Sequence, residues 1–359
     1  MPPTLSDELG AYTTVNEVIV FPISTLSVMY FIYGFYVLLF GVCFYMMRRQ
    51  GPDGEHLNAS LYLWLATILF MLTTIFIVAY TMSQIYQTLV FFTAAKTGNY
   101  ERLAQYLARD VEKTALLSLK QIVSVLLNIT AECMLIHRCY LIWDSKKRVA
   151  IPLIIASILS NGLGIVCAIT VTIGSRNLAN QSNYKIFLVG DITSGAYNIS
   201  SAVVNGVLTL LTAGRIWWIH RGVRAHGIHA SDTFIQSVSR IILESGIIYP
   251  ICIVATQIVT NTATPDVMPF DFFPLTVLSA GIAPTLIMVR ARLGKNVENL
   301  QDMLSDIRFT SQASPREVTV RSQAQVYSIG IRSLSREPAE NGGSEEQIVN
   351  GKADREITV

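Results

Sequence analysis

Charge is scarce in this chain. Only 14% of its 359 residues are charged, Lys and Arg (27) nearly balance Asp and Glu (25), and the net charge is +2. A soluble chain would carry roughly 25% charged residues, and a nucleic-acid binder needs a basic face. The composition argues against both. Cysteine is sparse as well. Cys43, Cys133, Cys139, Cys167 and Cys252 all fall in apolar runs, which points to buried structural thiols and away from a disulfide framework. The N-terminus lacks a basic stretch and a short apolar core before a cleavage site, so the first span is expected to act as its own insertion signal. No Gly-rich phosphate loop precedes a helix, and no Ser/His/Asp set has the context of a nucleophile elbow. His220, His226 and His229 share one loop without an acidic or cysteine fourth ligand, so neither a metal site nor a cofactor is expected. Residues 272–290 hold no lysine for a retinal linkage. The chain is not expected to be an enzyme.

What is present is apolar length. Mean hydropathy is +0.44, and runs of about 20 apolar residues, enough to cross roughly 30 Å of hydrocarbon, recur along the chain. The expectation is an all-α integral membrane protein, a seven-transmembrane helix bundle occupying residues 22–290. Its spans fall near 22–47, 60–83, 116–142, 149–173, 186–212, 236–260 and 272–290. Residues 1–21 and 261–271 contain no Lys or Arg, whereas the loops after spans one, three and five and the segment after span seven are basic. That asymmetry places the N-terminus outside and the C-terminus in the cytoplasm, in a multi-pass protein of the plasma membrane.

Outside the spans, 1–21 forms an extracellular N-terminus. Within the 84–115 connection, YERLAQYLAR forms a short helix capped by Asn99; it serves either as a lid over the bundle mouth or as a surface helix on the headgroups. Asn180, in an Asn-Gln-Ser sequon of an outer loop, is the glycosylation candidate. Leu293, Val297, Leu300, Leu304 and Ile307 follow helical spacing, so 291–308 is expected to form a juxtamembrane amphipathic helix along the inner leaflet. The polar tail, 309–359, is expected to be disordered.

Polar residues inside spans are costly and face the bundle interior. Span three carries Lys120, Ser124, Asn128 and Glu132 at successive steps of four, and span five carries Asp191, Ser194, Asn198, Ser201, Asn205 and Thr212. Facing one another, these seams either hydrogen-bond the helices together or line a polar cavity. In the second case Lys120, Ser124, Asn128, Glu132, Asp191, Asn198 and Asn205 are the candidate ligand-binding residues. Lys120 and Asp191 then receive the charged ends of a small ligand; a plain Lys–Asp pair is the simpler alternative. At the inner end, Arg138, Arg240 and Glu244 form a candidate cytoplasmic switch. Glu244 lies one turn deeper than Arg240 and needs a partner, which is Arg240 itself or Arg138 of span three. Arg215 and Arg290 fit ordinary snorkelling to the inner interface.

The blocks HRCYLIW (137–143), GRIWW (214–218), ILESGIIYP (242–250) and GIAPTLIMVRARLG (281–294) resemble recurrent blocks of an uncharacterised seven-transmembrane family of mushroom-forming (basidiomycete) fungi. That resemblance implies topology and a fungal origin. A looser similarity is to G-protein-coupled receptors: seven spans, an Arg-Cys-Tyr run at the inner end of span three, and prolines (Pro250, Pro284) in spans six and seven. Here His137 stands where that superfamily has an acidic residue. The span-seven Asn-Pro-X-X-Tyr pattern is absent, and no cysteine tethers span three to an outer loop. The function expected is a receptor-like protein coupling a small extracellular ligand to a heterotrimeric G protein or other cytoplasmic effector. The alternative is a transporter or permease passing a small polar solute between the seams of spans three and five.

Overall fold

The computed structural model describes residues 14–48, 56–225, 243–262 and 268–311. All regular structure among them is helical, and seven helices are long and apolar enough to cross a membrane. The chain is an integral, multi-pass membrane protein folded as a seven-helix bundle. Span one is Phe21–Arg48, entered through a π-helical turn at Asn16–Val20; span two is His56–Thr97. Glu101–Ala108 forms a short outer helix, followed by span three, Val111–Ile142, and span four, Lys147–Ser175. Span five is Gln181–Ala225, span six is Ile248–Thr262 with one helical turn at 243–246 before it, and span seven is Phe273–Ser311. The start of span one marks the outer end by the charge rule.

Three elements run longer than their apolar patterns. Span two has 42 residues, about 63 Å at 1.5 Å per residue, twice the hydrocarbon thickness. Neither Gly nor Pro interrupts it, so Gln84, Gln87 and Thr88 stay helical, and Gly98 ends it with φ of +66°. The expected 84–115 connection therefore shrinks to the residues flanking the outer helix. Span five extends through Ala225 past its belt tryptophans, where Arg215 lies 4.5 Å from the Trp218 ring and Arg221 5.7 Å from Trp217. Span seven continues to Ser311 as a single helix, so residues 291–308 are helical as expected and continuous with the span. Gly294 is the only breaker in that stretch, and one glycine costs a helix only about 1 kcal/mol. The expected disordered tail, from residue 312 onward, lies outside the described residues.

The outer helix is fastened to protein. Leu103 and Tyr106 are buried against Val18 and against Val90, Phe91 and Ala94 on the extension of span two. The apolar face that the sequence offered to the headgroups is thus covered. Asn99 accepts from the Glu101 N–H at 2.9 Å, as its position suggested. Asp110 caps span three by accepting from the Lys113 N–H at 2.8 Å, and also takes the Tyr86 hydroxyl at 2.7 Å. Asp110→Ala is expected to cost about 1–2 kcal/mol and to open the 98–110 segment to protease. Limited proteolysis in detergent alongside thermal unfolding checks this; an unchanged cleavage pattern would contradict the tether.

Spans four and five make the tightest pair. A Cβ on Gly174 would lie 2.5 Å from the backbone N of Phe187, and one on Gly190 would lie 2.9 Å from the backbone N of Val171. Small residues allow backbones to approach when no hydrophobic effect drives helices together in lipid. The main apolar core, with Tyr36, Leu69, Phe76, Leu127, Met134 and Leu278, joins spans one, two, three and seven and takes in Ala202 of span five and Tyr249 and Ile253 of span six. Span seven is central: 72% of its most apolar stretch is buried, against 22% for span six. Span six is therefore the less constrained of the two.

Candidate functional site

The polar seams of spans three and five meet at mid-bundle, and span four completes them. Glu132 is fully buried. Its Oε1 accepts from Asn128 Nδ2 at 2.9 Å and Asn205 Nδ2 at 3.2 Å. Its Oε2 accepts from Ser157 Oγ at 2.5 Å and Asn161 Nδ2 at 2.6 Å. Four neutral donors from three helices thus converge on one carboxyl group. The amides are fully used: the second N–H of Asn128 reaches Asn161 Oδ1 at 3.1 Å, that of Asn161 reaches the Ser157 carbonyl, and that of Asn205 reaches the Ser201 carbonyl. A buried polar network is stable when every member has partners, and this one does.

Span six joins through Tyr249. Its hydroxyl donates to Asn128 Oδ1 at 2.9 Å and lies 3.0 Å from Ser201 Oγ, which also reaches Asn128 Oδ1 at 3.1 Å. Asn128 is therefore the hinge-pin of the network: its amide nitrogen serves Glu132 and its oxygen holds span six. The arrangement supplies interhelical glue and a carboxyl group whose nearest arginine along its own helix, Arg138, is about 9 Å further on.

Below Tyr249 the helix is broken. Pro250 has no N–H for the carbonyl of Gly246, and a bend falls at Ile247. The Thr209 hydroxyl of span five stands 3.5 Å from that carbonyl. A Cβ on Gly246 would sit 2.5 Å from Thr209 Cγ2, so only glycine lets spans five and six approach here. Beyond the bend, Glu244 lies 3.9 Å from Arg290 of span seven, which also donates to Ser245 Oγ at 3.2 Å. Both charges are about half exposed, so their attraction is screened and modest. Arg290, read from the sequence as a simple snorkelling residue, has an ionic partner. Arg240 lies outside the described residues. Arg138 faces a separate cavity with Tyr62 and Arg292.

The remaining candidates are dispersed. Lys120 donates to Ser83 Oγ at 3.0 Å and stands 5.0 Å from the Tyr80 ring. Tyr80 in turn donates to Asp271 at 2.5 Å, which makes a cluster of spans two and three with the connection into span seven at the outer end. Asp191 is exposed, while Ser124 and Asn198 are half-buried and lie outside the Glu132 network. Asn180 is exposed and caps span five through Oδ1, which accepts the Ser182 N–H at 2.9 Å; a glycan would attach to Nδ2, so cap and sequon are compatible. Cys133 is exposed on the bundle surface, unlike the buried Cys43, Cys139 and Cys167. The side chains of His220, His226 and His229 lie outside the described residues.

Three network residues escape the two-seam reading. Ser157 and Asn161 lie four apart in IPLIIASILSNGLG, a signal weaker than the long seams but of the same kind. Tyr249 is one residue before Pro250 and looks like an ordinary aromatic of the span. A groove of about 780 Å³ opens laterally between spans three and four, with Ser157 and Asn161 at its floor and Ile151, Ile154 and Ile158 on its wall. The site thus belongs to a polytopic helical bundle whose interior is organised by one buried carboxyl group. No known protein family, curated protein or solved structure matches the chain.

Proposed function

We propose that this chain is a receptor-like protein of a fungal plasma membrane, coupling a small ligand on its outer side to a heterotrimeric G protein or other cytoplasmic effector. The observation that carries the reading is the placement of Tyr249. It links span six to the Glu132 network, and only the Pro250 bend separates it from the Glu244–Arg290 pair. An event that loosens Asn128 would release span six at mid-bundle, and the bend would turn that release into a movement of the inner end. A ligand acts by favouring one of two such arrangements. Lys120, Ser124 and Asn198 lie on the outer side of the network and are the residues we assign to ligand contact. The closed network argues against a standing aqueous path. The transporter reading keeps one specific support, the lateral groove that brings Ser157 and Asn161 to the bundle surface.

Removing the Tyr249 hydroxyl costs roughly 1 kcal/mol of the closed arrangement, about fivefold in the ratio of two states. Tyr249→Phe is therefore expected to raise basal signalling about fivefold with little loss of folded protein. Affinity purification from a fungal host, together with solute uptake by proteoliposomes, is the deciding pair. Co-purification of a heterotrimeric G protein, increased by Tyr249→Phe, supports the proposal. Uptake without any G-protein association would overturn it in favour of transport.

A further inference from the structure

The lateral groove of about 780 Å³ between spans three and four is apolar along its length and cationic at one end. Its walls are Ile129 and Ile136 of span three and Ile151, Ile154, Ile158 and Ile165 of span four. Its floor is low, since Gly162 leaves open space where a Cβ would stand. Ser157 and Asn161, on the same floor, direct their polar atoms inward to the Glu132 network. A recess of about 380 Å³ continues the groove toward the outer side past Ile129 and Ile165, with no charged residue in its lining. The inner end differs. Lys147 and Tyr140 line it, and the exposed Lys147 side chain has no ionic partner among the described residues. Lys146 and Arg148 flank it, so three exposed cations stand here against the one carboxylate of Asp144. From Lys147 to Gly162 the helix rises about 22 Å, the depth of one leaflet with its headgroups.

We propose that this groove seats one anionic phospholipid of the inner leaflet, its phosphate at Lys147 and Tyr140 and one acyl chain along the isoleucine wall. The charge pattern selects the occupant. The charge rule puts the basic end on the cytoplasmic side, where anionic lipids reside and are drawn to lysine and arginine. A neutral lipid would fill the trench and leave that end without a counter-charge. A polar solute would meet isoleucine for most of its path. Only a molecule with an anionic head and a long apolar tail matches both parts. Seated there, the chain seals the side of the Glu132 network where Ser157 and Asn161 reach the bundle surface. The groove is then closed as an entrance for a polar solute, and the site stands whether or not the protein is a receptor.

The test uses the full chain in detergent, given equal amounts of phosphatidylglycerol and phosphatidylcholine, with retained lipid counted by native mass spectrometry. A second arm adds an equal amount of ergosterol. The expected result is a retained phospholipid, phosphatidylglycerol being favoured about fivefold, the weight of one lysine near an anionic headgroup. Lys147→Gln is expected to bring that ratio close to one while a lipid is still held. Gly162→Phe, which fills the groove, is expected to lower retention of both phospholipids. Arg48→Gln removes an exposed cation at the inner end of span one and is expected to leave the preference unchanged. Equal retention of the two phospholipids by the wild type would overturn the proposal. Displacement of the phospholipid by ergosterol would do the same and make the occupant a neutral lipid. Equal loss of preference in Arg48→Gln and Lys147→Gln would also overturn it, as the sign of attraction to the whole inner surface. So would undiminished retention in the filled variant. Should Gly162→Phe fail to fold, Ile158→Trp, at a position 65% exposed, fills the same groove and carries the comparison.

Discussion

Glu132→Ala is expected to lower the unfolding free energy by about 3–5 kcal/mol, one of the two largest single-residue effects foreseen in this protein. The carboxyl group receives Asn128, Ser157, Asn161 and Asn205. Its removal leaves these donors in a bundle interior with no substitute acceptor. Orphaned buried donors cost about 1–3 kcal/mol each where they cannot relax, and bonds between membrane helices average less, about 0.6 kcal/mol. The four together fall between those limits. Glu132→Gln keeps the volume and loses less, about 1–2 kcal/mol, because one of its two polar ends becomes a donor facing other donors. Ser157 alone can turn to accept it; Asn161 and Asn205 cannot, since their amide nitrogens are already committed. Reversible unfolding in bicelles, with the order wild type, Gln, Ala, checks the account. Equal stability of all three would mean that apolar packing alone holds the bundle.

Gly174→Val is expected to be at least as damaging, preventing folding or costing roughly 3 kcal/mol or more. A Cβ at this position would stand 2.5 Å from the Phe187 backbone N and 2.6 Å from its Cα. Backbone cannot swing aside as a flexible side chain can, so spans four and five must separate at their outer ends. That separation propagates along the pair, since Gly190 and Gly164 rely on the same approach; a Cβ on Gly164 would lie 2.7 Å from the Tyr197 ring. The control is Gly162→Ala, where an added Cβ meets nothing within 4 Å; it is expected to be tolerated. Expression and thermal unfolding of the two variants separate the claims. Comparable loss in both would show that glycine acts here through backbone freedom and not through close approach.

Much of the architecture is legible in the sequence because lipid leaves few alternatives. A chain must satisfy its backbone internally to cross a bilayer, so each long apolar run can only be a helix. What the runs conceal is where each helix stops. Span two passes through Gln84, Gln87 and Thr88 to Gly98 because polarity alone does not end a helix; a left-handed glycine does. Span seven continues past Arg290 for the same reason, with Gly294 too weak a breaker to turn it. The two seams correctly marked Asn128, Glu132 and Asn205 as residues facing inward. Their partners in spans four and six were hidden, since Ser157, Asn161 and Tyr249 are short or single signals whose meaning depends on which helices become neighbours. Lys120 illustrates the same limit. Its depth suggested an acidic partner on span five, and the fold supplies Ser83 and Tyr80 of span two instead, with Asp271 from the connection before span seven as the nearby carboxylate.

The central claim is that Glu132, through Asn128 and Tyr249, sets the position of span six. It is tested most directly by a distance measured between the inner ends of spans three and six. Spin labels at Leu141 and Leu243, both exposed, in a protein whose exposed Cys133 has been replaced, report that distance in nanodiscs. Glu132→Gln is expected to broaden and shift the 141–243 distribution, while a reference pair on spans one and two stays as in the wild type. Identical 141–243 distributions in the two proteins would contradict the account, and would reduce the network to glue that holds the helices without governing them.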